Sequence, residues 1–402
     1  MTRSDGALQA SSGASQANPG DSLEQLCASK EIIISTGSGG VGKTTIAAAL
    51  GATAAANLGI KVLVLTIDPA RRLASALGLE QFGNVETQVP VSAFADAGAS
   101  PQGELWVAML DTKQSWDDLI QAHAPDVATR DAILANPLYR NITGKFIQSH
   151  DYVAMERLYQ IHTSGKYDLI VVDTPPTRNA IDFLDAPERM ADFFSSKLLR
   201  WLIAPYQSRM VGFASKPFYL VADRILGTQF LEDIAEFFIL FQSMYAGFVD
   251  RAQAVTALLG SPQTSFLVVS TLESSPAQEA EFFLRVLADR KYQVGALILN
   301  KVLPAYFLSR SGAQSARALS SEPAQIAAQL HAEFPELSES HLGNMLSEIG
   351  SSFMNYQVVA RRESDQRASL SGSADRTLSI PYFEEDIHSL AALLRLGEKI
   401  WT

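Results

Sequence analysis

The sequence predicts an α/β fold: a doubly wound, mostly parallel sheet covered by helices on both faces, with an inserted helical subdomain. Three observations carry that expectation. Near-continuous apolar strands alternate with helical stretches along most of the chain, the pattern of a parallel sheet buried on two sides. A glycine-rich loop, Gly37-Ser38-Gly39-Gly40-Val41-Gly42-Lys43-Thr44-Thr45, lies between the first strand and the first long helix. A Phe-rich helical stretch without strand signals interrupts the alternation between Ala186 and Gly260. At 402 residues the chain exceeds one ordinary core, which suits a large domain carrying an insertion.

Residues 1–28 are rich in Ser, Ala, Gly, Gln and Asn and read as a disordered tail. The first strand is the β-branched run Ile32-Ile33-Ile34-Ser35, and a helix is expected over Lys43 to Asn57. Further strands follow at Lys61 to Ile67, Leu105 to Leu110, Tyr167 to Val172, Ser265 to Thr271 and Val294 to Asn300, with a short one at Thr377 to Ile380. The first part of the sheet domain is expected over 29–186, the helical insert over 187–260 and the second part over 261–402. Within the last, about 308–373 reads as helices joined by mobile loops, with Arg361-Arg362-Glu363 on a solvated face. The insert holds nine of the twenty Phe, several at helical spacing: Phe230, Phe237, Phe241 and Phe248 among them. Such a segment packs on itself or leaves an apolar face for a partner. The final helix, His388 to Trp401, carries Leu390, Leu393, Leu394, Leu396 and Ile400 and lacks the Lys/Arg cluster of a membrane-surface helix, so core packing is expected.

The loop has the G-x-x-x-x-G-K-[ST] spacing of a phosphate site. Gly39, Gly40 and Gly42, with Val41 between them, let backbone N–H groups turn inward around phosphate oxygens. Lys43 places a charge on the β/γ-phosphates, Thr44 offers a hydroxyl to Mg²⁺, and Thr45 continues the helix whose positive end faces the anion. Two aspartates follow apolar strands: Asp68 in Thr66-Ile67-Asp68-Pro69-Ala70, and Asp173 in Val172-Asp173-Thr174-Pro175-Pro176. A strand-end Asp beside a phosphate loop is the expected carboxylate on the Mg²⁺ side. Asn300-Lys301 ends the sixth strand, but Leu303 stands where a guanine-binding Asp is needed, so ATP is expected over GTP.

The formal charge of −11 disfavours broad contact with nucleic acid or an anionic membrane. Cys27 is the only cysteine, so no disulfide framework or Cys-x-x-Cys metal site is available. No secretion signal and no spanning run is read, and a cytoplasmic protein is expected.

The phosphate loop, Thr66-Ile67-Asp68-Pro69-Ala70, Asp173-Thr174-Pro175-Pro176-Thr177 and Asn300, in that order, resemble the deviant-Walker ATPases, and most closely the ArsA family. The resemblance runs from about residue 31 to 302. It extends more weakly to Ser379-Ile380-Pro381-Tyr382-Phe383, which is similar to the family's late adenine-contacting loop and implies nucleotide contacts at Pro381 and Phe383. It implies that Asp68 orients the attacking water, that Asp173 supports Mg²⁺, and that two subunits close around nucleotide while a helical region binds a client. The phosphate loop departs from the family in carrying Ser38 where a lysine usually reaches across the dimer. Arg178, Arg71 and Arg72 are candidates to replace that charge. Three functions follow as expectations. The first is an ATP-hydrolysing dimeric switch that binds a hydrophobic client, a protein segment or a lipid-like or membrane component, through the helical insert. The second is an ATPase subunit of an anion transporter, disfavoured for arsenite by the lack of thiols. The third is a nucleotide-gated scaffold paired with a paralogous subunit.

Overall fold

The computed structural model describes residues 22–67, 71–77, 79, 83–142, 147–175, 181, 184–189, 192, 228–383 and 385–401. Eight strands form one sheet: β1 Ile32–Gly37, β2 Lys61–Thr66, β3 Thr87–Gln88, β4 Glu104–Met109, β5 Leu169–Asp173, β6 Thr264–Ser270, β7 Val294–Val302 and β8 Thr377–Pro381. Their order is β3-β4-β2-β5-β1-β6-β7-β8, and every neighbouring pair is parallel except β3 with β4. This is the α/β architecture the alternation predicts. The two-residue β3 escaped the sequence reading because it is too short to show a period.

Strand β1 sits between β5 and β6, so the loop that follows it opens at the centre of the sheet edge. Its side chains alternate between two cores, as a strand buried on both faces must. Ile33 packs in one core with the helix Lys43–Asn57, while Ile32 and Ile34 pack in the other. Strand β5 divides likewise, Leu169 and Val171 on the first side and Ile170 and Val172 on the second. The Lys43–Asn57 helix is Ala-rich and buried almost all round, which lets neighbours approach closely. The C-terminal helix Leu390–Trp401 lies against it through Leu393, Leu396 and Ile400, with Gly397 where any Cβ would collide with the Thr53 hydroxyl.

The expected tail to residue 28 is corrected. Leu23–Ser29 is a helix capped by the Ser22 side chain, and Leu23 and Cys27 are each 1% exposed in the first core. Leu23, Leu26 and Cys27 supply an i, i+3, i+4 apolar face too short to stand out from polar surroundings. Burial pushes the Cys27 thiol well above its ordinary pKa, so it is an inert packing residue.

Among the described residues, two helical regions lie outside the sheet. In the first, Trp116, Leu119, Tyr139, Tyr152, Phe237, Phe241 and Phe248 form a third core. It joins Thr112–His123 and Ile147–Thr163 to Thr228–Gln242 and Tyr245–Leu259, so it draws on both sides of the boundary expected at residue 187. Residues 193–227 of the expected insert, including Phe193, Phe194, Phe213 and Phe218, lie outside the described residues. The second region follows β7: a short 3-10 turn at Ala305–Leu308, then Arg310–Ser321, Pro323–Leu330 and the 32-residue helix Glu339–Leu370. Arg361 and Arg362 are exposed as expected, but Glu363 is half-buried and accepts a hydrogen bond from the Leu303 N–H at 3.0 Å. No helix among the described residues is long and apolar enough to cross a membrane.

Candidate nucleotide site

The loop after β1 is shaped by positions that tolerate only glycine. At Gly37 a Cβ would collide with the Val269 carbonyl of β6, and at Gly42, where φ is +100°, with the Asn300 amide. Gly40 also has positive φ, +80°. Gly42 precedes the helix Lys43–Asn57, whose first turn has no side-chain cap, leaving its N–H groups aimed at the loop's interior. Val41 is buried and anchors the loop in the first core, whereas Gly39 and Gly40 are exposed at its tip.

Lys43, only 7% exposed, donates from Nζ to the Ser38 carbonyl at 2.9 Å, which holds its ammonium inside the loop. Thr44 donates from Oγ1 to Asp173 Oδ2 at 2.5 Å, and Thr66 donates to the same oxygen at 3.2 Å. Asp173 ends β5, is 1% exposed, and has its own carbonyl accepting from Ile67 N at 3.1 Å. Two parallel strands, β2 and β5, thus fix one carboxylate against the first turn of the phosphate-loop helix. Thr44 and Asp173 are both hard oxygen donors, the ligand type Mg²⁺ takes while keeping most of its shell for phosphate and water. No group of three or more His, Cys, Asp or Glu among the described residues is placed to hold a metal ion.

Beside the loop opens a cleft of about 710 Å³. Gly40, Gly42, Thr44 and Thr45 of the loop line it, together with Asn300, Lys301, Pro381, Tyr382 and Phe383. The sequence-predicted residues from β7 and the β8 loop therefore meet the phosphate loop in one cavity. Asn300 ties the loop in place. Its Nδ2 donates to the Val41 carbonyl at 2.7 Å, and its Oδ1 accepts from Lys301 N at 2.9 Å. Asp68 and Arg178 lie outside the described residues, as do the side chains of Arg71 and Arg72, whose backbone opens the helix Arg71–Ala76.

Sequence reasoning missed Glu279. It lies on the helix Ser274–Asp289 after β6, and its Oε2 accepts a hydrogen bond from Ser38 Oγ at 2.5 Å. No local pattern marks it, because the two residues are 241 positions apart.

The family model described as anion-transporting ATPase, ArsA_ATPase, matches residues 30–334. The chain belongs to the ArsA family of ATPases. This ATPase is 24% identical over 296 residues to an ATPase ASNA1 homolog of Entamoeba dispar, covering 71% of this chain and 81% of that protein. It is 26% identical over 284 residues to putative arsenical pump-driving ATPase 1 of Aquifex aeolicus, 68% of this chain and 63% of that one. It is 25% identical over 289 residues to ATPase BagA of Mycobacterium tuberculosis, 70% and 68% of the two chains. The chain thus spans less than two thirds of the Aquifex relative. Members of this family bind nucleotide.

Proposed function

We propose that this ArsA-family ATPase hydrolyses ATP with Mg²⁺ in the cleft between the phosphate loop and the β8 loop, and uses the cycle to drive a dimeric switch. The observation that carries the reading is the Thr44–Asp173 pair at 2.5 Å, set against an uncapped helix N-terminus with Lys43 inside the loop. Lys43 would leave the Ser38 carbonyl to neutralise the β/γ-phosphates. Thr44 and Asp173 would hold Mg²⁺, which supplies charge stabilisation at the phosphates when bound. Asp68 is assigned the attacking water. Leu303 supports ATP over GTP, since its backbone N–H goes to Glu363 and its side chain accepts nothing.

For the coupled step, we propose that a helical region engages a hydrophobic client. Tyr306, Leu308, Met345, Ile349, Tyr356 and Val359 are each more than 40% exposed, and four of them fall on one stripe of the helix Glu339–Leu370. The described aromatics Phe237, Phe241 and Phe248, by contrast, are buried. The test combines two measurements. Hydrolysis of ATP should exceed that of GTP and stop on chelation of Mg²⁺. Light scattering should show a mass increase with ATP and Mg²⁺. Equal GTP turnover would refute the base assignment, and an unchanged mass in every nucleotide state would refute the dimeric switch.

A further inference from the structure

The Ser38–Glu279 contact is unexplained by the phosphate site as described above. Ser38 is bonded through both its ends: its hydroxyl donates to Glu279 Oε2 at 2.5 Å, and its carbonyl accepts from Lys43 Nζ at 2.9 Å. A serine hydroxyl has a single proton to donate. In this loop it goes to a carboxylate of the same chain, and so does the ammonium of Lys43 go to a loop carbonyl. Both are donors that a terminal phosphate oxygen would otherwise take. Glu279 is held in position because its neighbours Ala277 and Ala280 are buried in the second core, which fixes that face of the helix Ser274–Asp289 against β6.

We propose that Glu279 is an electrostatic latch on the phosphate loop that discriminates the nucleoside triphosphate from the diphosphate. The proposal rests on the reading that the cleft binds ATP. A carboxylate bonded to the same residue that holds the Lys43 ammonium repels a phosphate placed beside it more than one farther off, since the interaction falls with distance. Entry of the γ-phosphate therefore has to break the Ser38–Glu279 hydrogen bond and displace the carboxylate, whereas a diphosphate leaves the latch closed. Movement of Glu279 would pass directly to its helix, which gives the loop a way to report a bound γ-phosphate outside the site. Glu279 is a positioning residue here, acting through Ser38.

The test is isothermal titration of Mg²⁺ with ADP and with a non-hydrolysable ATP analogue, on the full chain. Glu279→Gln keeps the shape and an acceptor for Ser38 but removes the charge. It should tighten the triphosphate analogue about five- to tenfold and change ADP less than twofold. Glu279→Ala should shift the ratio in the same direction, and Glu279→Asp should restore the parental ratio. A merely structural role would weaken both nucleotides alike and lower the melting temperature, which overturns the proposal. So does an unchanged ratio in both Glu279→Gln and Glu279→Ala. Lys43→Ala separates the two readings. If it weakens both nucleotides while Glu279→Gln leaves their ratio unchanged, the latch fails and the site stands. If Lys43→Ala binds both as the parent does, the site itself fails.

Discussion

The two helical regions outside the sheet use their large apolar residues in opposite ways. In the region built from residues 112–163 and 228–259, aromatics face inward. Phe241 stacks on Phe248 at 5.4 Å, and Trp116 and Tyr152 close around them. In the region after β7, small residues make the closest helix–helix contacts. Gly350 of the long helix meets the Ala316 carbonyl and the Ser320 hydroxyl of Arg310–Ser321, where a Cβ would stand 2.5 Å from each. Ala313 and Ala316 are buried there while Met345, Ile349, Tyr356 and Val359 stay in solvent. The first region is a folded core in its own right. The second makes its closest backbone approach through Gly and Ala, sets Phe307 against Phe353 and Tyr356, and leaves a stripe of large side chains exposed. A cluster of aromatics in sequence is thus poor evidence for a docking face, and exposure of one stripe on a well-packed helix is better evidence.

The largest effect that sharpens this contrast is Phe248→Ala. Phe248 is 1% exposed, and truncating it should cost about 3–5 kcal/mol, read as a lower denaturant midpoint. A loss under about 1 kcal/mol would mean that the aromatic core is not the unit described here. Next comes the double change Ile349→Ser with Tyr356→Ser. These residues are 54% and 52% exposed, so each should alter stability by no more than about 0.5 kcal/mol. Binding of an environment-sensitive hydrophobic dye should nonetheless fall clearly. Unchanged dye binding would remove the stripe as the exposed apolar surface.

The smallest effect concerns the root of the second region. Burial, with Glu273 nearby, holds the Glu363 carboxyl above its usual pKa, against the opposing hydrogen bond from Leu303. A raised folded-state pKa gives stability that is present below the unfolded value and lost as pH rises through the folded one. Glu363→Gln keeps an acceptor for the Leu303 N–H and removes the charge. The melting temperature should therefore rise by about 1 °C at pH 7, and the gain should vanish as pH falls through the ordinary carboxylate range. A gain that grew on acidification would reverse the assigned sign.

Much of this was legible in the sequence. The apolar runs marked seven of the eight strands, most plainly β1, β5 and β6, where burial on both faces leaves an unbroken signal even in a short segment. The phosphate loop was legible because its glycines answer local backbone demands. The contacts that span the chain were not. Nothing near Ser38 points to Glu279, and nothing near Leu303 points to Glu363. Periodicity showed that Phe237 and Phe241 bury a face, but not that Trp116 and Tyr139 would meet them. Asn300 was readable as a site residue, but the hydrogen bond by which its amide holds the loop was not, since it depends on the bare backbone of Gly42 beside it.

The central claim is that the clasp of Lys43, Thr44 and Asp173 is the hydrolytic site. Its most direct test is the steady-state ATP hydrolysis rate of Lys43→Ala beside the parent, with melting temperatures compared. The account predicts a loss of at least about 10²-fold with the fold intact, while the Ile349→Ser, Tyr356→Ser control keeps its basal rate. Hydrolysis at the parental rate in a folded Lys43→Ala protein would contradict it.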